Sequence, residues 1–213
     1  MTTNPVRYRP LLGELASHGY VVLSITHPSA LNEKAGGDAL GYLMANTIRY
    51  VLAQVQNGGL KRVVGDTGKI FLGGHSIGGA VSISVARNNR TIAGCVNLDG
   101  FLHGKTKTAR VEQPLLMIIG DHAGWIKDLK QNPPDEAAEK YANNCSDFLK
   151  EYETLKDNSV RSEKIVIPEV RHIDFTDEPF QSYLRGEQSI GSAMRVHTIV
   201  SQKMLKFMHD ACV

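Results

Sequence analysis

Ser76 sits inside the run KIFLGGHSIGGA (69–80), where Gly74-His75-Ser76-Ile77-Gly78 spells G-x-S-x-G. Glycine weakens strands and helices, so four of them at one junction call for a geometric reason. A strand that turns sharply into a helix holds one side chain at the apex and crowds the residues two before and two after it. Gly74 and Gly78 occupy those positions, leaving Ser76 strained, with its hydroxyl exposed at the sheet edge. The helix that follows aims its N-terminus at the same point, so the Ile77 backbone N–H is placed to meet a developing oxyanion. The chemistry this pattern suits is nucleophilic attack by the serine on a carbonyl. The inert alternative is a glycine-rich strand–helix turn that happens to contain a serine.

A serine nucleophile needs a base, and the base needs an orienting acid. In strand–elbow–helix enzymes these follow in the order serine, acid, histidine, each on a loop after a later strand. After Ser76 the histidines are His103, His122, His172, His197 and His209. His197 and His209 fall in a predicted closing helix and read as surface residues. His172 follows the last predicted strand, in IVIPEVRHIDFTDEPF, where a base belongs. His75 adjoins Ser76, but neighbouring side chains diverge, so it is expected to pack beside the elbow. Two acids compete on spacing alone. Asp99, in CVNLDGFLHG, and Asp121, in LLMIIGDHAGW, both end strands at the edge where α/β sites form. Asp177, before EPF, reads as a helix N-cap.

The elements that must position these residues are short apolar runs. YVVLSIT (20–26), KIFLGG (69–74), IAGCVNL (92–98), PLLMIIG (114–120) and EKIVIP (163–168) read as strands. None alternates cleanly, which predicts a mostly parallel sheet covered by helices on both faces. Helical stripes run through 39–56, through the small-residue segment 78–87, and through Met194 to Phe207. Alternating strands and helices predict an α/β fold, and the length suits one domain over 1–213. Residues 124–160 are more polar and read as a helical excursion between strands, with Pro134 and Asp135 in a first helical turn. Its simplest role is a plain crossover with a solvated outer face. Phe101, after Asp99, and Trp125, the only tryptophan, read first as packing residues that could border a pocket.

LASHGYVVLSITHP, GHSIGGA, AGCVNLDG and HIDFTDEPF together resemble the platelet-activating-factor acetylhydrolase-like branch of the α/β-hydrolases, over about Leu15 to Phe180. The resemblance implies a serine esterase that cleaves short acyl or phospholipid-type esters through an acyl-enzyme, without metal or organic cofactor. It puts the acid on Asp99 rather than Asp121 and the base on His172. Related hydrolases carry a strand and a His-Gly or Pro-Gly loop before the segment matching YRPLLGELASHGYVV, and that loop donates a second oxyanion N–H. Here Met1 precedes that segment by only a few residues. The expectation is therefore an N-terminally shortened sheet, which either closes by pairing 20–26 directly with the elbow strand or belongs to a longer protein. A lost donor motivates a rival reading, a catalytically impaired relic or binding module. An acyltransferase with the same triad is a third.

Composition excludes several classes. The 213 residues carry 24 basic and 22 acidic side chains, net +2, with no basic footprint for nucleic acid. Three widely spaced cysteines, Cys95, Cys145 and Cys212, form neither a disulfide framework nor a zinc pattern, and Cys95 reads as core. Neither H-E-x-x-H nor paired Cys/His spacing occurs, so no metal is expected. MTTNPVRYRP lacks the apolar stretch of a signal peptide, and PLLMII is too short to span a bilayer. A cytoplasmic location is the corresponding expectation.

Overall fold

The computed structural model describes residues 5–26, 37–64, 69–87, 89–102, 104–131 and 136–212. A 3-10 turn at Pro5–Tyr8 leads into α1 (Arg9–Ser17), followed by α2 (Gly37–Asn57) and the single-turn α3 (Lys61–Val64). Then come β1 (Ile70–His75), α4 (Ile77–Ala86), β2 (Ile92–Leu98) and β3 (Leu115–Ile119). Helices α5 (His122–Gln131) and α6 (Glu136–Asn158) precede β4 (Ser162–Val166), and α7 (Glu178–Leu184) and α8 (Ile190–Asp210) close the chain. The strands form one sheet in the order β1-β2-β3-β4, with every pair parallel.

The sheet is buried on both faces because successive strand residues point opposite ways. Cys95, Leu115, Met117 and Ile119 join Ala45, Leu52, Ile83, Phe148, Tyr152 and Leu155 on the face covered by α2, α4 and α6. Val96, Leu98, Leu116 and Ile118 join Leu11, Leu15, Val196, Val200 and Met204 on the face covered by α1 and α8. Every residue of β3 is buried, so the absence of polar alternation in the sequence had this cause. Helix α8 starts where Ser189 accepts a hydrogen bond from the Ser192 N–H at 3.1 Å, a side-chain N-cap.

Two expectations need correction. Residues 20–26 form no strand among the described residues, and they do not pair with β1. Tyr20 and Val22 pack on the core, while Val21, Leu23 and Ile25 are exposed. Their apolar, β-branched composition favours a strand only where a ladder partner exists. The polar segment after Asp121 starts at His122, not Gly124, and holds two helices. Of these, α6 contributes Cys145, Phe148, Tyr152 and Leu155 to the core, so it is a crossover helix laid on the sheet. Pro134 and Asp135 lie outside the described residues, as does His103. Among the described residues, no helix is long and apolar enough to cross a membrane.

Candidate active site

Ser76 stands at the end of β1 with φ 56° and ψ −134°, a strained conformation for a residue with a side chain. The turn holds because Gly74 lies directly on the next helix: a Cβ on Gly74 would meet the Gly78 carbonyl carbon at 2.4 Å. The second tight position is Gly79 rather than Gly78. A Cβ on Gly79 would meet Asn97 Oδ1 at 2.3 Å and the Gly74 carbonyl oxygen at 2.7 Å, whereas one on Gly78 meets nothing within 4 Å. Close packing of α4 against β1 and β2 thus falls on the residue that faces the sheet. The Gly79 and Ala80 N–H groups donate back to the Ser76 carbonyl. Ile77 opens α4, so its N–H has no acceptor within the helix and can meet an oxyanion.

Asp99 follows β2 with φ 50°. Asn97 shapes this turn: its Oδ1 accepts from the Gly100 N–H at 2.7 Å, and its Nδ2 donates to the Gly100 carbonyl at 3.1 Å. The Tyr152 hydroxyl donates to the same carbonyl at 2.9 Å. Gly100 has no room for a side chain, since a Cβ would meet the Ser76 carbonyl oxygen at 2.2 Å. The Asp99 carboxylate is fully buried.

His172 opens a 3-10 turn, His172–Phe175, after β4. Its Nδ1 lies 2.6 Å from Asp99 Oδ2 and its Nε2 lies 3.1 Å from Ser76 Oγ. Serine, imidazole and carboxylate therefore form one continuous hydrogen-bonded line. Asp121 is elsewhere: it accepts from the Gly124 N–H at 2.9 Å and the Glu169 N–H at 3.1 Å, and those bonds lower its pKa. It caps the start of α5 and holds the turn after β4.

His75 packs beside the elbow, as the sequence predicts, and does more. Its ring lies 4.4 Å from that of His172, its Nε2 donates to the His172 carbonyl at 2.9 Å, and its Nδ1 accepts from the Tyr8 hydroxyl at 2.7 Å. Burial, then the proximity of His172, lowers its pKa to about 4. Arg7 ties the same N-terminal turn to the segment after His172 through ion pairs with Asp177 and Glu178 at 3.0 and 2.6 Å. The Asp177 N–H also donates to the Arg7 carbonyl at 2.7 Å. Asp177 does precede α7, but its carboxylate turns to Arg7. Thr176 Oγ1 accepts from the Glu178 N–H instead.

The group that sequence reasoning missed is His122. It is 3 % exposed, and its Nε2 donates to Asp99 Oδ1 at 2.8 Å, beside the Gly120 N–H at 2.9 Å. Burial pushes the Asp99 pKa up. The bonds from His122, His172 and Gly120 outweigh that and hold it well below the usual carboxylate range. The available signal was positional: β2 and β3 are parallel neighbours, so loops leaving their carboxyl ends lie side by side. Of the two histidines read as surface residues, His209 is exposed, but His197 is half-buried against Phe180. Phe101 packs on Phe148 at 4.0 Å and faces His172 at 6.1 Å; Trp125 is half-buried on α5. Among the described residues, no group of three His, Cys, Asp or Glu side chains could hold a metal ion.

The fold is shared with solved structures. A ferulic acid esterase from Streptomyces cinnamoneus superposes with a TM-score of 0.69 over 97% of this chain, at 20% identity. At that identity the likeness establishes the α/β-hydrolase fold and nothing finer. The chain spans 63% of that esterase's length. No curated protein matches the chain. The family model described as platelet-activating factor acetylhydrolase, isoform II, matches residues 40–182, which include Ser76, Asp99 and His172. This match covers more than half of the sequence, and the chain belongs to the platelet-activating factor acetylhydrolase, isoform II, family.

Proposed function

We propose that the protein is a serine ester hydrolase, one α/β-hydrolase domain acting on short-chain acyl esters or phospholipid-type esters. The observation that carries this reading is the unbroken line from Ser76 Oγ through His172 to Asp99 Oδ2, at 3.1 and 2.6 Å. Membership of an acetylhydrolase family supports the ester class.

Ser76 Oγ attacks the ester carbonyl while His172 Nε2 takes its proton. The carbonyl electrons move onto oxygen, where the Ile77 N–H meets them. Asp99 steadies the positive ring through Nδ1. Collapse breaks the ester C–O bond, and His172 returns the proton to the departing alcohol. Water then attacks the acyl-serine by the same route, releasing the acid and restoring Ser76. Phe101, beside His172, suits the wall of an acyl site.

A fluorophosphonate probe tests the nucleophile: it should label the wild type and not Ser76→Ala. Equal labelling of both would remove Ser76 from this role. A second reading, a catalytically impaired hydrolase-like module, applies if the Ile77 N–H acts without a second oxyanion donor. A missing donor costs roughly 10²–10³ in kcat. Turnover of p-nitrophenyl acetate and butyrate that disappears in His172→Ala would exclude that module. An acyltransferase would show itself by ester exchange when a competing alcohol is added.

A further inference from the structure

Asp99 serves two histidines. Its Oδ2 faces His172, while its Oδ1 accepts from the Gly120 N–H and from His122 Nε2. A carboxylate held at one oxygen by a backbone donor can still swing about its Cβ–Cγ bond. A second donor at the same oxygen removes that freedom.

His122 is itself held. Cys145 Sγ lies 3.6 Å from Nδ1. The Phe148 ring meets the imidazole edge-on, with centroids 5.0 Å apart and planes at 88°. Cys145 and Phe148 are both fully buried on α6, one turn apart. This helix thus braces the acid from behind, through a ring that is almost wholly buried.

We propose that His122 is a positioning residue for this reaction: it fixes the orientation and tempers the charge of Asp99, with Cys145 and Phe148 setting its own ring. The proposal rests on the assignment of Ser76, His172 and Asp99 made above. Burial favours the neutral form of His122, but the bonds to Asp99 and Cys145 prevail and raise its pKa to about 9. The raised pKa favours the protonated ring, whose Nε2 donates to Asp99 Oδ1 while its Nδ1 lies against Cys145 Sγ. A cation on Oδ1 weakens the pull of Asp99 on a protonated His172. The other ionisable groups near this ring are Asp121 beside it, Tyr152 on α6, and Lys150, Glu153 and Lys164 around the cleft that it borders. All of them remain when His122 alone is changed.

Two substitutions separate geometry from charge. His122→Leu removes donor and charge together, while His122→Gln keeps a neutral donor. His122→Leu should lower kcat roughly 10–100-fold with KM little changed, the scale for lost outer partners of a reacting group. His122→Gln should recover kcat to within a few-fold. In both variants the acid limb of kcat/KM should move up by about one pH unit, because the cation is gone. Imidazole ¹H–¹⁵N spectra of the His172 ring in His122→Gln should show its Nδ1–H resonance displaced from the wild-type position with no ester present. That readout stands even if the wild type turns over no ester, an outcome that would instead count against the esterase assignment. It also serves if the leucine variant does not fold. An unmoved His172 Nδ1–H resonance in His122→Gln overturns the proposal. So does a glutamine variant as slow as the leucine variant when both are folded, since a packing role alone would give that result.

Discussion

His75 Nε2 donates to the carbonyl oxygen of His172 at 2.9 Å, and the two rings lie 4.4 Å apart. The residue before Ser76 thus holds the backbone of the His172 loop, and Tyr8 holds that residue from the other side. Catalytic geometry of this kind tolerates little displacement, because small misplacements of reacting groups cost large factors in rate.

Tyr8→Phe removes only the hydroxyl that donates to His75 Nδ1. A buried acceptor left without its partner costs about 1–3 kcal/mol. The expected result is a stability loss of that size by chemical denaturation, together with a several-fold fall in kcat as the His172 loop loosens. Unchanged stability and rate would show that the clamp does not act.

Stability should peak near pH 6.5. His75 has its folded pKa lowered to about 4. Its contribution is full above the ordinary histidine value of ~6.5 and is lost as pH falls from there through about 4. That displacement corresponds to about 3 kcal/mol. His122 has the opposite sign. Its pKa is raised to about 9, so its contribution is full below ~6.5 and is lost as pH rises through about 9. Denaturation measured at pH 4.5, 6.5 and 9 should give the middle value as the largest. In His75→Phe the acid-side decline should shrink. A curve that still climbs between pH 6.5 and 9 would contradict this account.

The two acids should part in their kinetics. Asp99→Asn keeps the shape but presents the wrong hydrogen-bonding partner to His172, and the corresponding loss in a serine protease is ~10⁴ in kcat. Asp121→Asn should leave kcat within a few-fold. Asparagine caps helices about as well as aspartate, so the start of α5 should hold. Measured kcat for both variants decides the assignment, and comparable losses would refute it.

The elbow glycines should differ from one another. Gly78→Ala has open space for its methyl group and should stabilise α4 by about 0.5–1 kcal/mol. Gly74→Ala and Gly79→Ala meet backbone or a buried amide at 2.4 and 2.3 Å. They should displace α4 from β1 and suppress both expression and probe labelling. Melting temperatures of the three proteins make the comparison, and equal behaviour would mean that the elbow is looser than described.

The sequence by itself determined the elements with a local cause. Strands β1 to β4 were legible within one or two residues because each is an apolar run bounded by turn residues. The sharp turn after β1 was legible through Gly74, where a side chain would meet the backbone of Gly78. The place of His172 after the final strand was legible in the same way, and the structure sets its ring between Ser76 and Asp99. Tertiary structure decided what depends on partners far along the chain. Asp99 and Asp121 end adjacent strands in equivalent ways, and only one turns its carboxylate to the imidazole, across 73 positions of sequence. His122 was one of several histidines after Ser76 with no assigned place until parallel pairing of β2 and β3 brought it to Asp99. The apolar run 20–26 carries strand composition without strand structure. Side-chain patterns report burial locally, whereas a β-ladder exists only where a second backbone supplies its hydrogen bonds.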